Sequence, residues 1–119
     1  MSSNAQSIYK IMSRADWTAF EASGAYEGSV DDMHDRFIHF SSLEQVEGTL
    51  AKHFAGQGAL MLLAVDAASL GDALKWETSR DGELFPHLYG PLPLIAVNEA
   101  QRLPLGPDGQ HRLPETMSR

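Results

Sequence analysis

One uninterrupted apolar run, Ala-Leu-Met-Leu-Leu-Ala-Val at residues 59–65, follows directly on Gly56 and Gly58. A short continuous apolar stretch bounded by glycines is the pattern of a strand buried on both faces. It is also far shorter than the roughly 20 residues a membrane span requires. The run therefore predicts the centre of a sheet, and the rest of the chain must cover it.

With 119 residues, the chain has the length of one domain, with an ordered core expected over about residues 7–104 and a tail over 105–119. A chain of this size buries roughly two-thirds of its unfolded surface, enough for a core without staples. The 43% hydrophobic and 21% charged residues argue against wholesale disorder. There is no cysteine, which excludes disulfides, thiolate metal sites and cysteine nucleophiles. The opening MSSNAQSIYK has no basic stretch followed by an apolar one, so a cytoplasmic location is expected and no membrane partner. Nine basic residues, none clustered, against a net charge of −7 disfavour duplex nucleic acid as a partner. An anionic small molecule stays compatible, because one or two local donors suffice to hold it.

Along the chain, residues 8–12 read as a first strand. Ser13 reads as an N-cap with Asp16 three residues on, before a helix that places Trp17 and Phe20 on one face and ends at Gly24. Residues 26–35 read as a polar loop and residues 36–41 as a strand. Ser41 or Ser42, with Glu44 or Gln45, then caps a second helix striped by Leu43, Val46, Leu50 and Phe54. Beyond the central run, residues 67–74 read as a short helical turn and 75–79 as a strand, with Arg80-Asp81-Gly82 as a turn. Pro86, Pro91 and Pro93 argue against regular structure over 85–93. Residues 94–98 read as a last strand reaching towards Leu103, and from Gly106 onward the composition is that of a frayed tail. The order predicts an α+β fold: a mixed sheet partly covered by two short helices.

Two segments concentrate chemistry. In the strand Arg36-Phe37-Ile38-His39-Phe40-Ser41, alternation puts Phe37, His39 and Ser41 on one face and Arg36 on the other. His39 either satisfies its ring on the backbone or, with Ser41, offers polar groups to a ligand. In the second segment, His87 and Tyr89 sit in a loop stiffened by Pro86 and Gly90-Pro91. That loop is either a packed connection or a preorganised binding loop. Glu77 shares a strand face with Lys75 beside Trp76, where it is a surface residue or an acid–base group. Asp31, Asp32, His34 and Asp35 lack the spacing of a calcium loop and read as a solvated turn. His53 reads as a helix-boundary residue, and His111 receives no role. No Walker, GxGxxG, GxSxG or HExxH pattern is present.

Ile8-Tyr9-Lys10-Ile11, the segment Arg36–Ser42 and Phe85-Pro86-His87-Leu88-Tyr89-Gly90-Pro91-Leu92 together resemble a bacterial family catalogued as domain of unknown function 952. The resemblance runs over residues 8–103. That family is grouped by remote similarity with the ADP-ribosyltransferase-like fold, whose members cradle NAD in the cleft of a split mixed sheet. The resemblance implies His39 at the ribose-holding strand position, Ser41 as the hydroxyl residue, and His87 and Tyr89 at the ligand, with Tyr89 stacking. The glutamate that assists at the anomeric carbon would be Glu77 or Glu83. The expectation is an NAD- or nucleotide-like ligand site with catalysis open, NAD being the cofactor implied. The alternatives are a non-catalytic ligand or interaction module and, third, a metal-dependent hydrolase using His34, His39 and His87.

Overall fold

In a computed structural model, residues 6–79 and 82–113 are described. The apolar run becomes β4 (Leu60–Asp66), the middle strand between β1 (Ser7–Ser13) and β8 (Val97–Leu103), antiparallel to both. Its alternation serves two cores, as a doubly buried strand must. Met61, Leu63 and Val65 pack with Ile8, Phe20 and Leu88, whereas Leu60, Leu62 and Ala64 pack with Ile11, Val46 and Leu103.

Helix α1 (Arg14–Ser23) begins at Ser13, whose Oγ accepts the Asp16 N–H at 3.0 Å. It stops at Gly24, where φ is 84° and the N–H returns to the Phe20 carbonyl. Phe20 is buried, with Trp17 edge-on against it. After a 3₁₀ turn at Leu43–Gln45, α3 (Val46–His53) buries Val46 and Leu50 on the second core, and the Gln45 side chain accepts the Ser42 N–H at 2.9 Å.

Residues 26–35 are not a loop. They hold the end of β2 (Ala25–Tyr26), paired with β7 (Leu92–Pro93), and all of α2 (Val30–Asp35), so among the described residues three α-helices replace the expected two. The polar residues that suggested a loop are the helix's start signal. Ser29 Oγ accepts the Asp32 N–H at 3.1 Å, and Asp32 Oδ2 accepts the Ser29 N–H at 2.9 Å, a reciprocal capping box. Asp31 and Asp32 in the first turn also suit the helix dipole. Gly28 makes the approach feasible: its φ is 117°, and a Cβ there would lie 2.7 Å from the Asp32 Cβ.

The second large sheet runs β3 (Ile38–His39), β6 (Leu84–Leu88), β5 (Leu74–Thr78), again antiparallel throughout. The proline-rich segment therefore does enter regular structure, as a central strand. Pro86 is tolerated because its carbonyl, accepting the Phe40 N–H at 3.0 Å, faces the β3 edge. The missing N–H points to that same edge, just where β3 ends, so only one terminal ladder bond is lost. The strand expected over 36–41 is shorter than predicted: Arg36 adopts φ 72° as the C-cap of α2. Ser41 pairs instead with Tyr9, across two bonds of 2.8 and 2.9 Å. That bridge is where the two three-stranded sheets touch.

The mixed sheet is corrected too: every strand pair among the described residues is antiparallel. A parallel pair needs a helical crossover back into the same sheet, and α1 leads instead into β2 of the small sheet. The turn at 67–74 is a 3₁₀ segment, Ala67–Ala73, and 3₁₀ residues Leu94–Ala96 precede the last strand. Of the expected turn at 80–82, residues 80 and 81 lie outside the described residues. The tail is folded at least in part: Leu105 pairs with His111, the His111 ring donates to the Gln57 carbonyl at 2.6 Å, and Leu113 packs on the second core. Its last residues, 114–119, lie outside the described residues. No helix among the described residues is long and apolar enough to cross a membrane.

Candidate functional site

The strand register assembles the site. His39 stands opposite His87 in the β3–β6 ladder, one step from the bonded Phe40–Pro86 position. It is therefore in a non-hydrogen-bonded pair, the kind that brings side chains closest. Across β5–β6, Lys75 faces His87 and Glu77 faces Phe85. Alternation then puts Glu77 on the histidine face, diagonal to His87. The two imidazole centroids are 5.7 Å apart at an interplanar angle of 73°. Phe37 fills the space between them: it stacks on His87 at 4.0 Å and touches His39 at 4.7 Å and Tyr89 at 5.3 Å.

His39 is enclosed by carboxylates. Its Nδ1 lies 2.5 Å from Asp32 Oδ1 and its Nε2 lies 2.9 Å from Asp35 Oδ2. Asp32 Oδ1 also accepts the His39 N–H, and Asp32 Oδ2 receives the Lys10 ammonium at 2.8 Å. Lys10 Nζ donates a second bond to the His39 carbonyl at 3.0 Å. Burial alone would push the Asp32 carboxyl up. His39, Lys10 and the Ser29 N–H outweigh it and hold the group well below the usual carboxylate range. Burial pulls the Lys10 ammonium below its ordinary value, with Asp32 opposing. An ion pair this enclosed (side chains 7% and 2% exposed) is a fixed part of the fold.

His87 is held differently. Its Nδ1 lies 2.7 Å from Glu77 Oε1, and Tyr89 donates its O–H to the same oxygen at 2.7 Å. Bonds from His87 and Tyr89 keep the Glu77 carboxyl below its ordinary value, and the bond to Glu77 raises the Tyr89 phenol.

A cavity of about 600 Å³ opens between the two large sheets beside the Tyr9–Ser41 bridge. Its walls carry Lys10, Asp32, Asp35, His39, Ser41 and His87, with Phe40, Phe54 and Phe85 as apolar surface and Lys52 and His53 from α3. Of the residues singled out from sequence, His34, His39, Ser41 and His87 thus line one cavity. Ser41 is buried and its hydroxyl bonds Thr49 Oγ1 at 2.9 Å. Glu77 and Tyr89 are not in the cavity wall; they buttress His87 from behind. Glu83 is not brought to the cluster: it is exposed, and its carboxylate takes a bond from Gln45 at 3.2 Å. His34 is 87% exposed with its ring towards Asp35, and no group of ligating side chains among the described residues is arranged to hold a metal ion.

Lys10 was not singled out from the sequence, and Asp32 and Asp35, read there as part of a solvated turn, are instead partners of His39, with Asp32 buried. Two signals pointed to them. Lys10 shares its strand face with Ile8 and Met12, so a cation was being sent into a core and needed an anion. Ser29-x-x-Asp32 is itself a capping-box pattern.

The sequence profile of a family described as "Protein of unknown function (DUF952)" matches residues 11–100. Among solved structures, an X-ray crystal structure of protein CC0527 from Caulobacter crescentus has a TM-score of 0.90 and 50% identity, covering 95% of this chain and 99% of that one. A solution NMR structure of CC0527 gives a TM-score of 0.79 and 53% identity, covering 87% of this chain and 90% of that one. No curated protein matches the chain.

Proposed function

The chain belongs to the DUF952 family, and from that premise we propose that it binds an NAD- or nucleotide-like ligand in the cavity between its two large sheets, in an ADP-ribosyltransferase-like arrangement. The observation that carries this reading is the convergence of His39 and His87 from separate segments, 5.7 Å apart, on the wall of one cavity. A nucleotide needs a flat apolar surface for its base and polar groups for its ribose and phosphates. Phe40, Phe54 and Phe85 supply the first, while Ser41, His87 and the exposed Lys52 supply the second.

A second reading, a non-catalytic ligand or interaction module, is favoured by the position of Glu77. Breaking a nicotinamide glycosidic bond develops positive charge on the ribose, which a carboxylate must reach to stabilise. Glu77 Oε1 is taken by His87 and Tyr89 outside the cavity, and Glu83 bonds Gln45. Asp31, Asp32 and Asp35 lie in the cavity wall, but Asp32 and Asp35 are engaged with the His39 ring. Binding thus has more support than transfer.

Titration of labelled protein with NAD, ADP-ribose and nicotinamide tests the reading. Resonances of His39, Ser41 and His87 are expected to move at millimolar ligand. If all three stay in place, the nucleotide reading is lost.

A further inference from the structure

We propose that His87 is the cavity's oriented hydrogen-bond acceptor, its Nε2 lone pair offered to a ligand hydroxyl while Glu77, a positioning residue outside the cavity, fixes the Nδ1 proton. The inference deepens the ligand-site reading above and rests on it for the identity of the hydroxyl, a ribose one.

The argument begins at Glu77 Oε1. An ionised carboxylate only accepts, and this oxygen already takes the Tyr89 O–H. Facing it at 2.7 Å, Nδ1 of His87 must therefore carry a proton. In a neutral imidazole with Nδ1–H, the other nitrogen is an acceptor. The ring cannot turn to exchange them, because it is buried (side chain 6% exposed) and stacked on Phe37 at 4.0 Å. His87 lines the cavity while Glu77 and Tyr89 do not, so Nε2 is the nitrogen left to it. The neighbouring His39 has no such freedom, since Asp32 and Asp35 take both of its nitrogens. A carboxylate that orients an imidazole from behind is a recurring way of fixing which nitrogen faces a ligand. Here it explains why a glutamate and a tyrosine converge on a histidine from outside the space that a ligand would occupy.

The experiment is ¹⁵N imidazole NMR of the full chain at a pH above the imidazole titration. In the wild type, His87 should show a protonated Nδ1 and a bare Nε2. Glu77→Leu should move the proton to Nε2, and Glu77→Gln, which keeps an acceptor oxygen, should restore Nδ1–H. Wild-type His87 protonated at Nε2 overturns the proposal. So does a tautomer indifferent to Glu77→Leu in a protein that stays folded. Adding ADP-ribose should then shift the bare Nε2 resonance. Binding reported by Ser41 with His87 Nε2 unmoved overturns the acceptor role. If ADP-ribose moves no cavity resonance, the nucleotide reading fails, while a bare Nε2 that responds to Glu77→Leu still supports the assignment of His87.

Discussion

His39 and His87 are neighbours across a single strand pair, yet their surroundings make them opposites. His39 has both ring nitrogens on carboxylates and is tied through Asp32 to a buried lysine. His87 has one nitrogen on a half-exposed glutamate and lines the cavity with the remainder of its ring. Strand pairing brings histidines together without giving them the same task. The partners decide that: a closed network fixes one ring as part of the fold, and a one-sided buttress leaves the other facing a ligand.

Predictions that separate the two halves run from large to small. Asp32→Ala strands the Lys10 ammonium and opens the α2 cap, so it should cost about 3–5 kcal/mol by urea denaturation, the range for breaking a buried pair. An effect no larger than that of a surface substitution would mean the network contributes nothing to the fold. The same variant has a pH signature. Because the Asp32 carboxyl is held low in the folded state, its contribution is complete above the unfolded value of about 4 and is lost as pH falls through the folded value. The stability gap between wild type and Asp32→Ala should therefore be constant at neutral pH and narrow below about pH 4; a gap that widens in acid contradicts this. Ser29→Ala removes only the acceptor for the Asp32 N–H and should cost about 1 kcal/mol, measured by thermal unfolding. On the His87 side, Tyr89→Phe deletes one exposed hydroxyl and should leave Tm unchanged within error. A clear fall in Tm would make this half structural as well, and the contrast would disappear.

Much of this was legible in the residues. The run at 59–65, the Ser13 cap, the Gly24 stop and the Val46–Leu50 stripe all act within a few residues of themselves, and they form as local rules require. Alternation placed Phe37, His39 and Ser41 on one face. His39 and Ser41 do line the cavity, but Phe40 lines it too and Phe37 packs on the histidine rings instead, because the strand is only two residues long. Less legible were α2 and β6. The six residues of α2 carry too weak a periodicity to be recognised, and their cap was hidden among turn-forming residues. Pro86 removes only the ladder bond on the side of its nitrogen, and no local rule reveals that this side will meet β3 at its very end.

By itself, then, the sequence determined an α+β chain built on a doubly buried strand and marked two polar segments as candidates, because burial pattern and side-chain alternation are written in consecutive residues, but not that the segments would meet. Only the tertiary structure decided what each histidine became. Asp32 reaches His39 across seven residues, Lys10 reaches Asp32 across twenty-two, and Glu77 reaches His87 across ten through a strand register. Which carboxylate closes on which ring depends on sheet register and on the docking of α2 against β1. Those distances exist only once the two sheets have packed.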